Sequence, residues 1–450
     1  MQSFVRRPIR RAALAAVVLG LVLTSVVQGG DLNALLDPPE GNAIFVAQAS
    51  GKNTNPGTRE SPFKNIDKAL KSAAAGDVIL VAEGTYSGTF DIGYLESDKP
   101  VKLYGGFSSD FAERDVVGHP SLFQPDNASG GKARKPLLRF TKAIDGLVVD
   151  GFIFDMGERN SYHASEGKPE GLATGMLLLP PAKASGDNAT VTESCLSIPS
   201  AAEGGEVIVR NNVFLNCAKF GIQAGLREGR ISVLNNVFVA NRMAAIEIYG
   251  TCASRGGPGD MPNCGETEIA RNTVLFSWSR LKDFLDMGYG IRVMTKLSYD
   301  IHDNLIGANI MAGIDHSRFN NNERVKIDNN VFFVNKQADL EFSPASNTSL
   351  NLTADQFEDL ELASNAGNEN RIPAGLAIDT AYLEAFLSAR YAEEADYDPS
   401  SPANQLRSML GLNKQGKLAT SVSMYGNRYP WRGALDLFGA VSGVGAQAIE

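Results

Sequence analysis

The chain has 450 residues, of which 43% are hydrophobic and 21% charged, and its formal charge is −9. That balance fits a folded globular protein and excludes a disordered or collagen-like chain. The acidic charge also argues against nucleic acid as a partner, since a phosphate backbone is gripped by clustered Lys and Arg.

The first element is a leader. Arg6, Arg7, Arg10 and Arg11 precede an apolar run from Ala12 to Val27, followed by Gln28, Gly29 and Gly30. A basic start, a short apolar stretch and a small-residue exit form the layout of a signal peptide over residues 1–30. The run is short for a bilayer span, and no later segment could serve as one. The chain is therefore expected to be exported, to the periplasm, cell surface or medium. Removing four Arg and no acid takes the charge from −9 to −13.

Residues 31–115 are expected to hold an N-terminal cap and the first coils. Ile44–Ala47 is a short strand. Ser61 and Pro62 predict a helix running to about Ala75, with Ser as N-cap and Pro at the first helical position. Val78–Val81 and Val101–Tyr104 are further strands. The pattern Ser50-Gly51, Asn55–Thr58, Ser61–Phe63, Ile66, Ala69-Leu70, Gly76–Ile79 and Gly84–Tyr86 resembles the opening of secreted right-handed parallel β-helix proteins of the pectate-lyase-like superfamily. The resemblance implies that the helix caps the first coil. It says almost nothing about reaction.

Residues 116–343 predict the coils. Ile144–Phe154 is an early one, with Gly151 in the slot that Asn fills later and Gly175–Leu179 as its second anchor. Insertions are expected at 180–205, 251–267 and 277–289. Between them one pattern repeats: Val209–Phe214, Val233–Phe238, Ile269–Val274, Ile301–Ile306 and Ile327–Phe332. Each holds Asn at its second polar position: Asn212, Asn236, Asn272, Asn304 and Asn330. A second anchor follows at Ile222, Ile246, Ile291, Ile314 and Leu340. A near-fixed period with insertions at set points is the signature of a solenoid. The expected fold is all-β: a right-handed parallel β-helix with an N-terminal helical cap and a C-terminal capping region over 344–450. Within that region Ala354–Leu362 and Thr380–Glu394 suggest helices, and Tyr425–Gln447 suggests a cover for the open end.

Strand side chains alternate faces. The two aliphatic files therefore point inward, and the Asn file is expected to form a structural amide ladder at a turn. The residue after each second anchor must point outward: Gln223, Glu247, Arg292, Asp315 and Glu341. Tyr249, Lys296, His316 and Arg318 lie close by in sequence, and Trp278 borders an insertion.

This outward file is the candidate saccharide groove. A β-eliminating lyase needs a cation for the uronate, here Arg292, and a base, here Lys296 or His316. Carboxylates Glu247, Asp315 and Glu341 offer the oxygen ligands that Ca²⁺ prefers. A glycoside hydrolase would use two of them. Gly313–Arg318 resembles the Ile-Asp-His core of a pectate lyase signature, although Gly313 replaces its Trp. It is also similar to the Asp-Pro-His motif of alginate C5-epimerases. Here Asp315 and His316 are adjacent, which sends them to opposite faces.

Polysaccharide is the partner these features imply, with lyase or epimerase chemistry on a uronic-acid-containing polymer as the sharper reading. The competing reading is a non-catalytic surface or matrix scaffold, or a polysaccharide-guiding protein. Four cysteines in an oxidising compartment suggest disulfides. Pairing Cys252 with Cys264 would staple one loop and leave Cys195 for Cys217.

Overall fold

The computed structural model describes residues 42–88, 94–124, 136–142, 145–156, 193–201, 205–226, 228–250, 265–278, 288–294, 297–317, 322–345, 348–376 and 429–449. The leader, Gly175–Leu179, Cys252, Cys264, Lys296, Arg318 and Thr380–Glu394 lie outside them. Among the described residues the chain winds through three sheets of nine strands each. A typical coil contributes Gly205–Arg210 to sheet 1, Val213–Leu215 to sheet 2 and Phe220–Leu226 to sheet 3. Apart from Leu350–Leu352, each strand pairs in parallel with its equivalents one coil away, for example Val209 with Val233 and Val149. The fold is a right-handed parallel β-helix.

The interior is filled by three files of fully buried side chains. Sheet 1 supplies Val209, Val233, Ile269, Ile301 and Ile327, and sheet 3 supplies Ile222, Ile246, Ile291, Ile314 and Leu340. Sheet 2 supplies aromatic rings. Phe123, Phe154, Phe214 and Phe238 stack with centroids 4.9, 4.8 and 5.1 Å apart. The strand spacing of about 4.8 Å sets this distance, so identical rings on successive strands meet face to face.

Two tight corners per coil make the winding possible. Between sheets 1 and 2, Asn211, Asn235, Arg271, Asp303 and Asn329 hold positive φ between 55° and 58°. The next residue in each coil is the ladder Asn. Its amide nitrogen donates to the following Asn carbonyl oxygen at 3.0 Å for Asn212, Asn236 and Asn272, and at 2.9 Å for Asn304. The same oxygen accepts the preceding Asn's backbone N–H, as from Asn236 to Asn272 at 2.9 Å. The ladder thus pairs buried corner groups that water cannot reach. It extends one rung further than the repeat indicated, to Asn368. The early coil differs too. Gly151 occupies the left-handed position at φ 84°, opposite Asn211, and Phe152 stands where Asn would. Phe152 nonetheless donates its N–H to the Asn212 side chain at 2.9 Å.

The N-terminal helix spans Ile66–Ser72, starting later than Ser61. Phe63 instead bonds in extended form to Phe45 and Ala47, at 2.9 Å each. The helix buries Ile66, Ala69 and Leu70 against the interior, closing that end. The other end is closed by Leu350–Leu352, antiparallel to Ala338–Phe342, and by the 3-10 helix Ala354–Asp359. Phe357 of that helix packs edge-on to Phe332 at 5.5 Å.

The glycine-rich C-terminal stretch does not cover the open end. Residues 429–449 lie along the side of the solenoid, over the outer face of sheet 2. Leu435, Phe438, Val441 and Val444 pack with Val213, Leu215, Val237, Leu275, Leu305 and Phe333. The strap is pinned by Tyr429 to Asn216 and by Gln447 to Asn235, through backbone–amide pairs of 2.9 and 2.6 Å. Sheet 2 is apolar outside as well as inside, so it needs this cover.

The insertion expected at 180–205 is also displaced. Leu196–Ala201 is a strand of sheet 3, paired with Leu138–Phe140 and Phe220–Leu226. The disulfide beside it joins Cys195 to Cys217.

Candidate functional site

The outward residues of sheet 3 stand in strict register. Gln223 faces Glu247, Glu247 faces Arg292, Arg292 faces Asp315, and Asp315 faces Glu341. The row continues toward the N-terminus through Ser197, Arg139 and Glu96, which the repeat did not reveal. The signal was present as alternation in Leu95–Ser97 and Leu138–Phe140, where a charged residue sits between two buried ones. Without the Asn anchor these strands could not be aligned from sequence.

The centre of the row is cross-braced. Arg292 donates through Nη1 to Glu247 at 2.7 Å and through Nε to Asp315 at 2.9 Å. Gln223 donates to the other Glu247 oxygen at 2.8 Å. Asp315 also accepts the Ser317 hydroxyl at 2.6 Å, and Glu341 accepts the Tyr289 hydroxyl at 2.7 Å. Burial raises the Tyr289 pKa well above the usual phenol range, reinforced by Asp315 and Glu341. Side-chain exposure is 9% for Glu247, 4% for Asp315 and 12% for Arg292. The two carboxylates therefore act as braces that fix the guanidinium plane. The surfaces left for a ligand belong to the half-buried members Gln223, Arg292 and Glu341. Tyr249 lies on the same outer face two residues beyond Glu247, and burial raises its pKa, with Glu247 adding to the effect.

Two predicted site residues sit elsewhere. His316 is fully buried inside the solenoid, edge-on to Phe342 at 5.6 Å. Burial lowers its pKa to about 4, and neither ring nitrogen meets the geometry of a hydrogen bond, although Asn322 lies near enough to oppose the shift. Strand alternation put the ring there, so it cannot reach a ligand on the outer face. Trp278 is also fully buried, its indole N–H donating to Ala240 at 3.1 Å. It anchors a corner and offers no sugar platform. Among the described residues no group of three or more His, Cys, Asp or Glu side chains is arranged to hold a metal ion.

Sheet 1 carries a second polar surface, a hollow of about 320 Å³ lined in part by Arg230, Glu268, Asp300 and Lys326. Glu268 binds Arg230 and lies 3.6 Å from His302, whose other nitrogen is 2.9 Å from Asp303. Asp303 and Glu268 raise the His302 pKa to about 9. The Glu268 pKa falls to about 2, with His302 as the leading cause. This surface is a self-neutralising lattice.

A family model described as "Protein of unknown function (DUF1565)" matches residues 49–116, which hold the N-terminal cap and first strands. The Bacillus subtilis (strain 168) protein "Uncharacterized protein YwoF" is 33% identical over 139 residues. The match covers 30% of this chain and only 28% of that relative's length. Among solved structures the chain is similar to pectate lyase Pel9A, with TM-score 0.41 and 12% identity over 78% of this chain and 87% of the other. It is also similar to a rhamnogalacturonan lyase, with TM-score 0.29 and 12% identity over 66% and 70%.

Proposed function

We propose that this chain is an exported β-helix protein that binds a polysaccharide along the outward row of sheet 3. The observation that carries the reading is the row itself: eight consecutive strands from Glu96 to Glu341, each presenting a polar side chain in register. A straight row with a repeat of about 4.8 Å suits an extended polymer of repeating hydroxyl-rich units better than a compact metabolite. Cross-bracing holds the contact groups in place before binding, which lowers the ordering cost. Export is supported by the basic-apolar leader and by the Cys195–Cys217 disulfide, a bond of oxidising compartments.

Binding is favoured over lyase or epimerase chemistry because Arg292 already serves two carboxylates and His316 faces inward. Calorimetry against neutral and acidic plant and bacterial polysaccharides tests the reading. The expected result is saturable binding that weakens about tenfold in Gln223→Ala, the loss of about one hydrogen bond's net energy. Lys326→Ala on sheet 1 should bind as the unaltered chain does. Binding of no polymer, or equal affinity in Gln223→Ala, would overturn it. Ultraviolet absorbance of unsaturated uronate products in the same samples would move the reading to a lyase.

A further inference from the structure

The two ends of the solenoid carry opposite charge. At the N-terminal end, residues 42–75 hold five bases, Lys52, Arg59, Lys64, Lys68 and Lys71, against two acids, Glu60 and Asp67, a net +3. The helix Ile66–Ser72 buries its apolar side, which leaves Lys64, Lys71 and the loop residues Lys52 and Arg59 exposed. Among these described bases Lys71 alone is in an ion pair, with Asp67 at 3.4 Å. At the other end, residues 350–370 hold five acids, Asp355, Glu358, Asp359, Glu361 and Glu369, and no base, a net −5. All five are exposed, and among them Glu369 alone is ion-paired, with Arg371. In a chain of formal charge −9 the cap is a local reversal of sign.

Sheet 2 adds an observation that does not involve charge. It ends in a short strand on each side, Gly84–Tyr86 and Glu369–Asn370. The Gly84 N–H donates to Pro120 and the Tyr86 carbonyl accepts from Gln124, both toward the next strand. Alternation therefore turns the Thr85 N–H and C=O away from the sheet. At the far end the Glu369 and Arg371 N–H groups donate to Asn330 and Phe332, so Asn370 turns its backbone N–H and C=O away likewise. Unpaired edge groups of this kind are a template for another chain. Beside Thr85 lies a hollow of about 390 Å³, lined in part by Gln48, Lys64 and Asn65. We propose that copies of this chain associate head to tail, with the acidic end of one copy seated on the basic cap of the next. The two surfaces differ, so the contact is heterologous and repeats into an open chain unless the rotation between copies closes it. Opposite potentials steer the ends together, and like charges disfavour cap on cap or acidic end on acidic end. Glu369 and Asn370 of one copy then face the Thr85 edge and the Lys64 hollow of the next. The charges are exposed, so salt weakens the contact: the screening length falls from roughly 30 Å at about 0.01 M to roughly 3 Å at about 1 M. The contact is independent of what sheet 3 binds.

Sedimentation velocity of the full chain at low and high salt tests the contact. Association that grows with protein concentration at about 0.02 M salt and reverses at about 0.5 M is the expected result. Two triple variants then assign the surfaces. Changing Lys52, Lys64 and Lys71 to Glu takes the cap from +3 to −3, and changing Glu358, Asp359 and Glu361 to Lys takes the other end from −5 to +1. Each variant alone should associate at least about tenfold more weakly than the unaltered chain, since like charges now meet. Their equimolar mixture should associate again, because the first keeps the acidic end and the second keeps the basic cap. An unaltered chain that stays monomeric at ~100 μM in low salt overturns the proposal. So does association that ignores salt or survives in either variant, and so does a mixture that stays monomeric. Unchanged thermal unfolding of both variants separates a lost contact from a lost fold.

Discussion

Replacing Asn272 with Ala removes the central rung of the amide ladder. The Asn272 amide nitrogen donates to Val233 at 2.9 Å, Ala270 at 3.1 Å and Asn304 at 3.0 Å. Its oxygen accepts the Asn236 backbone N–H at 2.9 Å and the Asn236 amide at 3.0 Å. The Asn236 amide keeps its bonds to Val209 and Leu234, and the Asn304 oxygen keeps the Asn272 N–H. The groups that lose most are the Asn236 N–H and the Val233 carbonyl. Each buried orphan costs about 1–3 kcal/mol, so the substitution should destabilise by about 2–6 kcal/mol. Asn368, at the half-buried end of the ladder, should cost about 1 kcal/mol when changed to Ala, because water can replace part of its contacts. Denaturant unfolding followed by far-ultraviolet circular dichroism measures both. Equal losses at the two positions, or a loss below about 1 kcal/mol at Asn272, would refute the claim that the ladder satisfies buried corner groups.

Three further outcomes follow from the packing. The His302 pKa is raised from 6.5 to about 9 while Glu268 stays ionised down to about pH 2. The stabilisation that Asp303 and Glu268 give the protonated His302 is therefore complete below pH 6.5 and is lost as pH rises through about 9. After solvent screening it is worth about 1 kcal/mol, and His302→Gln should flatten that part of the stability profile. Changing both Cys195 and Cys217 to Ser opens a cross-link with a sequence separation of 22 and should cost about 3 kcal/mol in denaturant unfolding. Deleting residues 429–450 uncovers Val213, Val237, Leu275 and Leu305 on sheet 2, so the shortened chain should bind hydrophobic dye and self-associate in light scattering.

What could be read from the sequence was whatever recurred on one strand. The Asn and the aliphatic anchor have fixed spacing, so the inward files and the outward row from Gln223 to Glu341 could be aligned by counting. Asn368 escaped because Glu369 and Asn370 replace the apolar residues that mark the other rungs. A second set of corner amides, Asn241, Asn309 and Asn335, escaped because Ser277 stands in one of its coils. Counting along the coils sets the buried Asp150 beside its register neighbour Arg210 but does not reveal Arg114, which lies outside the repeat. Asp150 binds Arg114 at 2.7 Å and Arg210 at 2.6 Å, partners 36 and 60 residues away in sequence. The strap was misplaced for the same reason. Its apolar residues were visible, but the face they cover is set by the outside of sheet 2, whose Val and Leu residues resemble interior ones in sequence.

The central claim is that the row from Glu96 to Glu341 holds an extended saccharide. The most direct measurement is a crystal structure of the full chain with a bound oligogalacturonide. Density running along sheet 3, with hydroxyls on Gln223 and Arg292, is the expected result. An oligosaccharide seated instead in the hollow between Arg230 and Lys326 on sheet 1 would contradict the account.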